Sequence, residues 1–216
     1  MMKKYHIYMC LTVGFLAAHC SRQVNLDQDM SEPSFVELDT VYKNVFLPLD
    51  GIWQGTFYIY TNPKGQQNDK VKGEDLETYF TSSRDGWLQD SVQVRQVYES
   101  TSPYFQKVTI TDSYTENGNT THVTAMGVNK VQQGLMWCVV QKPDEKIVHL
   151  GKLDDEHTII WSRNVDDPLR KEYFKETVSS DSYEIWGYGY YGEDKTHLLP
   201  KTWFSAKYHR ISDYLR

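Results

Sequence analysis

YFQKVTITDSYTENGNTTHVTAMGVN, Tyr104 to Asn129, holds two runs rich in β-branched and aromatic residues on either side of Glu116-Asn117-Gly118-Asn119. Asn-Gly between such runs is the strongest short-range signal for two antiparallel strands joined by a tight turn. Segments of the same kind continue in both directions. Upstream lie GIWQGTFYIY (51–60), DLETYFTSS (75–83) and SVQVRQVYES (91–100). Downstream lie QGLMWCVVQ (133–141), EKIVHLGKL (145–153), HTIIWSRNV (157–165), LRKEYFKETVS (169–179), SYEIWGYGYYG (182–192) and KTWFSAKYHRI (201–211). In LRKEYFKETVS, Leu169, Tyr173 and Phe174 would also fit one face of a helix. Short segments with turn residues between them predict an all-β domain, an antiparallel meander of about ten strands. A meander of that size curls or closes to remove its edges, so a closed or nearly closed barrel is expected, with an open sandwich or other antiparallel roll as the alternative.

Ahead of the first strand, Ser34 to Phe46 places Phe35, Val36, Leu38, Val41, Tyr42, Val45 and Phe46 at spacings near three and four. That pattern predicts a short N-terminal helix or helical turn, ended by Pro48. No internal repeat and no second domain boundary interrupts the rest. The expected organisation is a signal peptide at 1–19, a polar tether at 20–33, a helical lead-in at 34–50 and a β-barrel at 51–216.

The 216-residue chain is 39% hydrophobic and 24% charged, ordinary for a folded domain, but 14% aromatic, with 16 Tyr. Tyr and Trp suit half-buried β surfaces because each joins an apolar body to a polar tip. The formal charge is −6 with no basic block, which argues against a nucleic-acid partner.

Met1-Met2-Lys3-Lys4 followed by the largely apolar run Ile7 to Ala18 has the proportions of a secretory signal, and the run is too short to span a bilayer. It ends in Leu16-Ala17-Ala18-His19-Cys20, which resembles the lipobox of bacterial lipoproteins, with His19 where Gly, Ala or Ser is usual. The resemblance implies cleavage before Cys20, lipid attachment to its sulfur, and an exported chain anchored to a membrane. Cys138 would then be the one remaining thiol, too few for an intramolecular disulfide, and in Leu135-Met136-Trp137-Cys138-Val139-Val140 it reads as a small buried hydrophobe.

Chemical motifs are sparse. The histidines form no H-x-x-x-H or H-E-x-x-H pair and the cysteines no C-x-x-C, so no metal is expected. His149 and His157 fall on neighbouring expected strands, where ordinary strand histidines are the simpler reading. There is no G-x-S-x-G elbow. Asp154-Asp155-Glu156 and Asp166-Asp167 sit at turns, where Asp caps local backbone, and they lack the alternation of a calcium loop. No catalytic residue and no cofactor is expected, and the chain reads as a binding protein rather than an enzyme.

Gly187-Tyr188-Gly189-Tyr190-Tyr191-Gly192 has the spacing of a dinucleotide-binding turn. Such a turn needs a parallel strand before it and a helix after it, and here a polar loop runs to Pro200. The string therefore reads as strand. Alternation puts Glu184, Trp186, Tyr188 and Tyr190 on one face and Tyr183, Ile185, Gly187, Gly189 and Tyr191 on the other. The aromatic row either lines a cavity or packs across the sheet.

Gly51-Ile52-Trp53 opens the first strand and Arg210 closes the last. This pair resembles the calycin superfamily, lipocalins and fatty-acid-binding proteins, in which G-x-W starts the barrel and a late Arg packs across the Trp. The resemblance implies that Trp53 and Arg210 close the barrel floor without touching ligand, and that the barrel binds a small apolar or amphipathic molecule. Its wall would be drawn from Trp186, Tyr188, Tyr190, Trp137 and Phe57. The other readings are a side-chain-filled barrel whose Tyr-rich outside meets a protein or glycan, and an all-β enzyme with acid and base residues from different strands.

Overall fold

The computed structural model describes residues 29–34, 41–67 and 75–212. The signal peptide, Cys20 and most of the tether lie outside the described residues, as does part of the lead-in.

Period-two alternation from Gly51 onward produces ten strands: β1 (Gly51–Thr61), β2 (Leu88–Ser102), β3 (Phe105–Glu116), β4 (Asn119–Gln132), β5 (Leu135–Gln141), β6 (Lys146–Asp155), β7 (Thr158–Asp166), β8 (Leu169–Val178), β9 (Ser182–Tyr191) and β10 (Thr202–Ser212). Each pairs antiparallel with the next, and β1 pairs with β10, so the meander is a closed barrel without edges. The β3–β4 turn has Asn117 at φ 51° and Gly118 at φ 80°, with Glu116 opposite Asn119. Two successive positive φ values are what a two-residue hairpin loop requires, and Asn-Gly supplies them at low steric cost.

One end of the barrel is closed. Trp53 is fully buried there, donates from Nε1 to the Leu49 carbonyl at 2.7 Å and meets Tyr183 edge-on at 5.7 Å. The Arg210 guanidinium lies 4.3 Å above the Trp53 ring. It also donates to backbone carbonyls: Nε to Ser180 at 2.8 Å, Nη2 to Pro48 at 3.0 Å and Nη1 to Asp50. The lead-in seals this end with buried Phe46 and Leu49. Its described part, 41–46, is bend and turn, followed by a single 3-10 turn at Leu47–Leu49. Pro48 thus sits inside the helical turn instead of ending one before it, because a missing N–H costs nothing in a first turn.

The segment expected as a strand at 75–83 is the α-helix α1 (Leu76–Ser83). Asp75 caps it, accepting from the N–H groups of Glu77 at 3.1 Å and Thr78 at 3.3 Å. Leu76, Tyr79 and Phe80 then share one helical face, and that face packs on the outside of the barrel with Tyr60, Trp203 and Leu199. Residues 29–33, expected as tether, also lie against the outer wall: Met30 packs beside Phe105, Val128 and Val139, and the buried Lys130 ammonium donates to the Asp29 carbonyl at 2.5 Å.

Candidate functional site

Strand register fixes which side chains point inward, and it starts from Trp53. Along β1 the inward set is Trp53, Gly55, Phe57 and Ile59. Across β10 it continues with Arg210, Tyr208, Ala206 and Phe204, and across β9 with Tyr183, Ile185, Gly187, Gly189 and Tyr191. The inward faces do not fill the barrel. They leave a cavity of about 380 Å³ above the floor, and neither Trp53 nor Arg210 lines it.

Of the five residues expected on the wall, Phe57 lines the cavity. Trp186, Tyr188, Tyr190 and Trp137 do not: the pleat turns all four outward. Trp186 and Tyr188 join the cluster under α1, where Tyr188 lies 5.6 Å from Trp203, and Trp203 stacks on Phe80 at 5.2 Å and 2°. Tyr190 donates to the Leu198 carbonyl at 2.7 Å, and burial lifts its phenol to about 12. Trp137 packs outside with Val128, Val139 and Met30. The aromatic row is therefore cross-strand packing under a helical cover. On the inner face the two glycines serve close approach. A Cβ on Gly189 would lie 2.5 Å from the Tyr191 ring, and one on Gly187 would lie 2.2 Å from the Tyr173 carbonyl.

The cavity has three levels. Around its middle the wall is apolar, with Phe57, Val92, Val94, Ile110, Ala125, Val140, Phe174 and Phe204. Towards the end opposite the floor stands a charged cluster. Glu172 meets His149 Nε2 at 3.2 Å and Arg163 Nη1 at 3.7 Å, and accepts from the Tyr191 hydroxyl at 2.9 Å. Burial alone would raise this carboxyl, but these partners together hold it below the ordinary carboxylate value. Arg163 also pairs with Glu145, which bridges to Arg170. Asp112 lines the same end and is raised by burial, with Lys142 opposing.

Near the floor the arrangement differs. Glu176 points inward from β8 and accepts from Trp161 Nε1 at 3.0 Å. Its carboxyl is sheltered from outside solvent and borders the cavity, and this desolvation lifts it to about 7 against the weaker pull of Trp161 and Tyr183. Tyr183 lies 3.4 Å from the Tyr98 hydroxyl, which donates to Gln96 Oε1 at 3.2 Å. Asn129 completes this level, buried at 3% exposure. The Cys138 thiol lies on the wall between strands and is pushed far up by burial, so it is a poor nucleophile.

His149 and His157 take separate partners: His149 the buried Glu172, and the exposed His157 its neighbour Glu156 at 3.4 Å. Among the described residues no group of three His, Cys, Asp or Glu could hold a metal ion. Asp155 caps its own turn through the His157 N–H at 2.8 Å.

No protein-family profile matches the sequence, and no curated protein matches it. Among solved structures the chain is similar to a redesigned β-barrel, at a TM-score of 0.37 and 12% identity, over 79% of this chain and 97% of that one.

Proposed function

We propose that the barrel is a binding protein, without catalysis, that takes a small apolar or amphipathic molecule into the cavity. One observation carries the reading. Ten strands with a sealed floor leave about 380 Å³ unfilled, within the range of small-molecule sites, and line it with an apolar belt and a few convergent polar groups. A closed ten-strand meander with Arg210 stacked on Trp53 supports a calycin-like assignment, in which that pair serves the floor and the cavity above it serves the ligand. The outer aromatic row offers less to a protein or glycan partner, because α1 already covers much of it.

Native mass spectrometry of the full-length chain tests the reading. A small molecule carried through purification supports it, and its mass gives the ligand class. Protein that stays bare, and remains bare after incubation with hydrophobic small molecules, contradicts it.

The export and anchoring part rests on Leu16 to Cys20. Cys20→Ala is expected to abolish fatty-acid labelling and release the protein from membranes; labelling that persisted would remove the lipid anchor from the proposal.

A further inference from the structure

Two glutamates face the cavity from the same strand, four residues apart, and their surroundings are opposite. Glu172 has His149 and Arg163 within ion-pair distance and a hydroxyl donor from Tyr191. Glu176 has an indole N–H and a phenol, and no basic side chain lies beside it on the lining. The bases on that lining are His149, matched to Glu172, and Lys142, beside Asp112. Arg210, the nearest cation of the floor, points its N–H groups at backbone carbonyls below Trp53.

A second acceptor stands at the same level. Asn129 Oδ1 is buried and has no hydrogen-bond partner. Its orientation is fixed by Gln106, whose Nε2 donates to the Phe46 carbonyl at 2.8 Å and to Asp50 Oδ1 at 2.8 Å. Gln106 Oε1 is thereby the acceptor for Asn129 Nδ2 at 2.8 Å, which leaves Asn129 Oδ1 over. A buried polar atom without a partner is costly, and one on a cavity wall is matched when a donor arrives. Gln106 ties Asn129 to the Phe46 carbonyl of the lead-in, and Glu176 borders a hollow lined by Val45, Pro48 and Leu49 of the same lead-in, so both acceptors belong to the floor end of the cavity.

We infer that this end receives the ammonium group of a small amphipathic amine, held by the Glu176 carboxylate and Asn129 Oδ1, with the hydrocarbon body against Phe57, Phe174 and Phe204. The inference rests on the cavity-binding reading above and specifies its ligand. An ammonium brings three donors and the missing positive charge. An alcohol brings one donor, and a carboxylate would meet Glu176 with like charge in a desolvated place. The amine also matches the carboxylate form of Glu176, which burial otherwise disfavours.

The test compares octylamine, 1-octanol and octanoate, which share one chain length, by calorimetric titration of the full-length protein. Near neutral to mildly alkaline pH, octylamine is expected to bind at least about tenfold tighter than octanol, and octanoate weakest. Below the Glu176 value of about 7 the amine preference shrinks while octanol binding holds. The groups facing Glu176 are Tyr98, Tyr183 and Tyr208, all raised by burial, and Cys138, also raised, so none of them gains charge over that range. Glu156 and His157 lie beyond a small hollow at the β6–β7 turn and act on the charged amine alone, so the Glu176→Gln protein, which keeps both, is the control that separates their field from that of Glu176. Glu176→Gln is expected to bring octylamine down to octanol. Equal binding of amine and alcohol to the unaltered protein, or tighter binding of octanoate, overturns the inference and leaves the cavity reading standing. Binding of none of the three overturns both.

Discussion

The barrel has two concentrations of aromatic and apolar surface, one on each side of the same strands, and the chain treats them differently. Outside, Tyr60, Trp186, Tyr188 and Trp203 are roofed by α1, with Phe80 stacked on Trp203. Inside, Phe57, Phe174 and Phe204 lie against one another at 5.3–5.7 Å yet stop short of filling the space. A protein interior is normally packed to crystal-like density, and the inner row leaves a cavity where the outer one is covered by a helix. The difference teaches that the row most conspicuous in the sequence is cross-strand packing, while the sparser inner row lines the cavity.

Phe80→Ala breaks the outer half of this comparison most strongly. Removing a fully buried ring that stacks on Trp203 is expected to cost about 3–5 kcal/mol of stability in denaturant unfolding, with ligand affinity nearly unchanged. If affinity fell in proportion to stability, the two faces would not be separable.

Glu176 gives the next effect, on the inner half. Its folded value of about 7 lies above the ordinary 4.5, so between these values the folded state holds a proton that the unfolded state has released. Its contribution is therefore fully present below about 4.5 and is lost as pH rises to 7 and beyond. Relative to Glu176→Gln, which does not titrate, the unaltered protein is expected to lose up to about 3 kcal/mol between pH 4 and pH 8. Urea unfolding of both proteins across that range checks it; a pH-independent difference would place Glu176 in contact with water.

Asp75→Ala tests the cover from its end. Losing the cap on the Glu77 and Thr78 N–H groups is expected to cost about 1 kcal/mol, read from the same unfolding curves.

Much of the fold was legible because its signals are local. Asn117-Gly118 sets a hairpin by φ alone, and alternation in β9 separates its two faces without any partner. The sign of those faces was not legible. It depends on register carried from Trp53 through β10 to β9, and the ten-residue loop 192–201 gives no parity. α1 was missed because its aromatic and β-branched residues suit a strand, although Asp75 ahead of Leu76, Tyr79 and Phe80 carries the cap and the three-four spacing of a helix. Glu176 and Asn129 carried no signal, since a strand carboxylate and a strand amide take on meaning from what stands opposite them in a closed barrel.

The most direct measurement places bulk inside the cavity without touching the outer row. Ala125 lines the wall from β4, and Ala125→Phe directs a ring into the void, a change expected to cost about 1–3 kcal/mol where the ring crowds its neighbours. Titration with the hydrophobic fluorophore N-phenyl-1-naphthylamine should then show saturable one-to-one binding to the unaltered protein and much weaker binding to the variant, at a temperature where both are folded. Equal binding to both would put the ligand elsewhere than in the barrel.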